Sequence, residues 1–134
     1  SGPAQDACER PAWITGIAHS IDAQSLASRD LTLAPSAGRA ATAAGVADVD
    51  VAELPAPFSH QELILRQEFS LGEHTQINPS GGALSGNPMF AGGLIRIGEA
   101  AQQIWSGAAD TALGHATSGP ALQQNLVCMM GAEE

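Results

Sequence analysis

The chain has 134 residues, 44% of them hydrophobic, with a mean hydropathy near zero, which predicts one globular domain with a sizeable core. Fourteen acidic residues stand against five arginines and no lysine, giving a formal charge of -9, so nucleic acid and anionic membrane surfaces are not expected partners. Cys8 and Cys128 lie in no CxxC or Cys/His cluster, so no metal site is expected. The opening residues, SGPAQDACERPAW, lack the basic-then-apolar pattern of a leader, and no run reaches the roughly 18 apolar residues of a membrane span; a soluble, cytoplasmic protein is the expectation.

In chain order, residues 11–19 (PAWITGIAH) carry the β-branched and aromatic residues of a strand, and 20–30 read as a polar loop. After Pro35 an alanine-rich stretch predicts a short helix ending near Gly45. DVDVAEL at 48–54 alternates acid with apolar, a strand pattern that Pro55 and Pro57 stop. Ser59 and Glu62 have the spacing of a capping box, in which the hydroxyl and carboxylate each take an orphan amide, and a helix over about 59–70 follows.

Glycine, serine and proline dominate INPSGGALSGNP at 77–88, where the backbone must turn tightly or approach something closely. Pro88 suits a first helical turn, and the next helix is predicted to run to about 105. At 100° per residue its polar residues Arg96, Glu99, Gln102, Gln103 and Ser106 share one arc. Phe90, Leu94, Ile97, Ala101, Ile104 and Trp105 occupy the rest, so the helix should be mostly buried. Gly92, Gly93 and Gly98 each cost a helix up to about 1 kcal/mol, which predicts close backbone packing. TALGHATS and LQQNLVCMM read as a final antiparallel hairpin around Ser118, Gly119 and Pro120. The order β-α-β-α-loop-α-β-β predicts an α/β fold with a mixed sheet and packed helices, in a single domain over residues 1–134.

Five segments, in this order, carry a resemblance: WITGIAH with SRDLT, DVAELPAPFSHQEL, INPSGGALSGNP, GLIRIGEA and HATSGPALQQNLV. They resemble the C-terminal half of thiolases, in the sterol-carrier and lipid-transfer branch, over nearly the whole chain. The resemblance implies a sheet-and-helix half that packs on a similar N-terminal half, on the same or a separate chain, with the 88–105 helix between them. It also implies a coenzyme A thioester as substrate or ligand, no tightly bound cofactor, and a role in lipid or steroid side-chain metabolism. Homo- or hetero-oligomers are implied, and proteins of this branch are similar to ones that pair with a small zinc-containing OB-fold protein.

The resemblance also places the site. The acylated cysteine belongs to the other half. A GHP histidine is replaced by Asn87, which can still donate a hydrogen bond to an oxyanion. A polar NEAF- or HDCF-type residue is replaced by Pro55. The acid–base cysteine of a CxG motif aligns with Thr117, Ser118 and Gly119, of which the Gly119 amide retains an oxyanion-hole role. Asn87, Gly119 and Ser118 are thus the candidate site residues.

Each of these residues also has a plainer reading. Asn87 equally suits a turn before Pro88. Ser118 is more simply a hairpin residue, because His115, three positions away on a strand, points to the other face. His60 reads as a first-turn helix residue, His19 and His74 have no assigned role, and Arg29 reads as an ion-pair partner of Asp30 or another acid.

Two functions follow. In one, the chain takes part in acyl transfer or retro-aldol carbon–carbon cleavage, inactive alone and dependent on a partner half. For the retro-aldol version the resemblance implies catalytic tyrosines, and the absence of any tyrosine here weakens it for this half alone. In the other, it is a non-catalytic acyl-CoA-binding or structural subunit.

Overall fold

The computed structural model describes residues 8–133; the first seven residues of the expected domain and the last lie outside it. The elements are β1 (Trp13–Ile21), a 3-10 turn (Leu26–Ser28), α1 (Pro35–Ala44), β2 (Val51–Glu53), α2 (Ser59–Glu68), β3 (Gln76–Ile77), one-turn α3 (Gly82–Ser85), α4 (Gly92–Trp105), β4 (Thr111–Ser118) and β5 (Gln124–Gly131). The expected order is reproduced, with β3 added at the start of the glycine-rich region and α3 inside it. No helix is long and apolar enough to cross a membrane, and no group of metal-ligating side chains is found, among the described residues.

The five strands form one mixed sheet in the order β1-β5-β4-β2-β3. β2 is parallel to both β3 and β4, whereas β5 is antiparallel to β1 and β4. Because side chains alternate across a strand, register sorts them into two layers. Leu113, Val127, Met129 and Ala52 join α1 and α2 in one core. Val51, Ala112, Cys128 and Met130 join Ala100, Ala101 and Ile104 of α4 in the other.

Local chemistry explains the ends of α1: Pro35 fits its first turn, and Gly45 closes it in the left-handed region at φ 74°. The capping box before α2 does not form. Phe58 occupies the N-cap position without a side-chain cap, and Glu62 instead pairs with Arg66 one turn on, at 2.9 Å. Pro88 lies outside α4, which begins four residues later at Gly92.

The helical face of α4 also differs from expectation. Arg96, placed in the polar arc, is 3% exposed, while Leu94 and Phe90, placed outside it, are 74% and 98% exposed. Leu94, Gly98, Gln102 and Trp105 form the outward stripe. The same layer of the sheet is uncovered at its far edge, where pairing places Ile17 opposite Cys128, and Ile14 and Ile17 remain exposed.

Close packing of α4 on β4 holds for one of its three glycines. A Cβ on Gly93 would sit 2.3 Å from the Ala116 Cβ and 3.0 Å from its Cα; one on Gly98 would meet nothing within 4 Å. Gly93→Ala is therefore expected to lose about 1–3 kcal/mol through overpacking, despite alanine's better helix propensity. Gly98→Ala should gain about 0.5–1 kcal/mol. Urea unfolding of both variants checks the pair, and equal effects would mean that α4 does not seat on β4 through Gly93.

Candidate functional site

Three parallel strands end on one side of the sheet, the place where open α/β sheets bind ligands. Pro55 lies two residues beyond the end of β2, the 78–91 segment follows β3, and Ser118 and Gly119 close β4. Together with Asn87, Thr117, Gln61, Gly92, Gly93 and Leu122 they line a cleft of about 440 Å3. Asn87, Ser118 and Gly119, picked out from the sequence along with Pro55 and Thr117, thus meet at one place.

The cleft is placed by a buried ion pair. Arg96 Nη1 donates to Glu53 Oε2 at 3.0 Å and to Ser80 Oγ at 2.9 Å. The Ser80 amide donates to Glu53 Oε1 at 3.0 Å, and its hydroxyl to Oε2 at 2.8 Å. Asn78, at φ 51°, accepts the Leu54 amide at 2.6 Å. These contacts lock the end of β2, the start of the glycine-rich segment and α4 together. The signal for the pair was a lone acid in VAELPAP and a lone base in GLIRIG, each in an apolar run.

Asn87 is exposed, with its carboxamide oxygen over the start of α4, 3.7 Å from where a Gly92 Cβ would lie. Gly119 adopts φ 74°, and a Cβ there would meet Gln123 Oε1 at 2.5 Å, so only glycine fits. The neighbouring hydroxyls are engaged: Ser118 donates to Gln124 Oε1 at 2.9 Å and Thr117 to the Gln124 carbonyl at 2.8 Å. Among the described residues no side chain caps α2 or α4, and their first turns border the cleft, so the positive ends of two helix dipoles lie beside it.

The turn beyond Gly119 is strained, with Ala121 and Leu122 both at positive φ. Arg29 holds it by donating to the Pro120 and Ala121 carbonyls. Among the described residues it has no acidic partner, contrary to expectation; Asp30 accepts from Thr32 instead. Asn125 Nδ2 also braces the turn, at 2.8 Å from the Leu122 carbonyl.

His115 lies on the opposite face from Ser118, as the strand offset predicted, and is fully buried. Its Nε2 is 2.9 Å from Asn125 Oδ1, while Asn125 Nδ2 donates to Ser36 Oγ at 2.7 Å. Since that carboxamide oxygen can only accept, Nε2 carries the proton and Nδ1 is left without a partner among the described residues. Burial pushes the imidazole down to about 4, against a smaller opposing effect of the Asn125 bond. Ser36 continues the chain to Asp22 at 2.7 Å. Burial of Asp22 opposes its ionisation, but hydrogen bonds from Ser36 and Arg39 outweigh it and hold the carboxyl below its ordinary range.

Among the described residues, the cleft-lining side chains include no histidine, cysteine, carboxylate or lysine. Cys128 is buried under α4, where desolvation raises its thiol. His60 stacks on Phe58 with ring centroids 5.8 Å apart, and His74 pairs with Asp48 at 2.6 Å, away from the cleft. The arrangement can donate hydrogen bonds to an oxygen bearing negative charge, but supplies no ordinary general acid or base. No protein-family model and no curated protein matches the chain.

Proposed function

We propose that this chain is a thiolase-like C-terminal half that binds acyl-CoA thioesters, in lipid or steroid side-chain metabolism, and works with an N-terminal half that carries the reactive groups. The convergence of Pro55, Asn87, Thr117, Ser118 and Gly119 on one cleft carries this reading, because the resemblance selected those positions from separated segments. Within it, Asn87 and the Gly119 amide receive the thioester oxygen, and the two helix N-termini favour the charge that develops there. The outward stripe of α4 and the bare edge of the sheet are where the partner half packs. Acyl transfer or retro-aldol cleavage then draws its proton-transfer groups from that half.

A second reading, a non-catalytic acyl-CoA-binding or structural subunit, is favoured by one observation: every side chain lining the cleft is apolar or a neutral hydrogen-bonding group. An Asn87→Ala variant tests the thioester reading common to both. Acyl-CoA affinity, or turnover in the assembly, should fall by a factor equivalent to roughly 1–4 kcal/mol with little change in thermal midpoint. Unchanged binding in the folded variant would mean the pocket lies elsewhere, and a fall in stability that ligand binding merely follows would make Asn87 a turn residue. Asn87→His should not restore thiolysis while Pro55 and Thr117 remain.

The chain alone is also expected to self-associate or bind a hydrophobic dye through Leu84, Phe90 and Leu94, all largely exposed. Sedimentation as a compact monomer without dye binding would count against an interface there.

A further inference from the structure

The polar side chains of the cleft are not equally satisfied. Ser118 and Thr117 already donate within the hairpin, yet Gln61 Oε1 is buried and accepts no hydrogen bond from any described residue. Gln61 sits in the first turn of α2, where its amide bonds to the Phe58 carbonyl at 3.0 Å and its side chain borders the cleft. Leaving a buried acceptor unpaired costs about 1–3 kcal/mol, and the large majority of buried polar side-chain atoms find a partner. The Ser118 and Thr117 hydroxyls keep lone pairs that can accept, but among the polar atoms of the cleft-lining side chains Gln61 Oε1 is the one that is buried without a partner among the described residues.

Resting on the thioester reading above, we infer that Gln61 is the residue that reads a neutral hydrogen-bond donor on the ligand, a hydroxyl on the acyl chain or an amide N–H of the pantetheine arm. Asn87 and Gly119 hold the thioester oxygen, and the Gln61 carboxamide oxygen takes the polar hydrogen. A ligand that offers both is held at two points, which fixes its direction along the cleft.

Equilibrium dialysis of the full chain against 3-hydroxybutyryl-CoA and butyryl-CoA tests this, with Gln61→Met, Gln61→Glu and Asn87→Ala beside the unaltered protein. Gln61→Met should weaken the hydroxylated thioester about five- to tenfold, the size of one hydrogen bond, without lowering the thermal midpoint. Gln61→Glu, which can only accept, should keep or improve that affinity. If the hydroxyl is the donor, butyryl-CoA is insensitive to Gln61→Met; if the pantetheine amide is, both thioesters weaken alike.

A lower midpoint in Gln61→Met would mean that the oxygen is already paired within the fold, and loss of affinity in Gln61→Glu would mean that the residue donates instead; either overturns the inference. Thioester binding that depends on Asn87 but not on Gln61 also overturns it while leaving the thioester reading intact. Should neither thioester bind, that reading fails by itself, and butane-1,3-diol, which carries hydroxyls without a thioester, takes over as probe. Its saturation-transfer signal should vanish in Gln61→Met, and a signal unchanged by the substitution leaves Gln61 with an ordered water only and overturns the inference.

Discussion

Replacing Arg96 with methionine is expected to destabilise the chain by about 3–5 kcal/mol, the cost of leaving a buried carboxylate without its counter-charge. Glu53 and Arg96 are both almost fully inaccessible, and the guanidinium bridges the carboxylate and Ser80. Removing it orphans Glu53 and loosens the start of the glycine-rich segment at the same time. For a domain of this size the loss should lower the thermal midpoint by roughly 10–20 °C. Replacing both charges, as Glu53→Leu with Arg96→Met, should recover part of that loss, because two desolvation costs disappear together. Recovery stays incomplete because the Ser80 amide loses its acceptor. Thermal and urea unfolding of the three variants read this directly; an Arg96→Met change below about 1 kcal/mol would show that Glu53 does not depend on the pair.

Acid should act on the fold in two separate windows. His115 stays neutral in the folded protein down to about 4, whereas in the unfolded chain it protonates from its ordinary value of 6.5. Between those values the unfolded state binds more protons, so stability rises with pH through this window. The contribution is complete above 6.5 and lost as pH falls to about 4, amounting to about 3 kcal/mol. Asp22 and Asp50 act lower. Asp50 accepts the Thr111 amide, the largest effect on it, and is held below its ordinary value of 3.8. The stability that both carboxylates give is present above 3.8 and disappears only as pH drops further. His115→Gln keeps a donor for Asn125 but no titrating ring, so its stability should be nearly flat from pH 7 to 4.5 while the unaltered protein declines. A parallel decline in both would place the acid sensitivity in another group.

Short-range patterns in the sequence determined much of this protein. The alternation in DVDVAEL, the alanine-rich run between Pro35 and Gly45, and the apolar strands around Ser118–Pro120 gave the α/β class and the hairpin, since each depends on residues a few positions apart. Asn87, Ser118 and Gly119 stand out in the glycine-rich stretch and the final hairpin of the sequence, and the fold brings them to one cleft.

Tertiary packing decided the rest. Which way α4 turns was set by a partner 43 positions earlier, so Arg96 went inward and Leu94 outward against the pattern of polarity alone. The capping box at Ser59 gave way to an i,i+4 pair, because capping also requires the backbone to leave the helix at that residue, and here it does so at Phe58. Arg29 binds carbonyls that exist as free acceptors only once the β4–β5 turn is strained into place. Gln61 was ordinary in the sequence: burial without a partner is a property of the surrounding packing, and no local pattern encodes it.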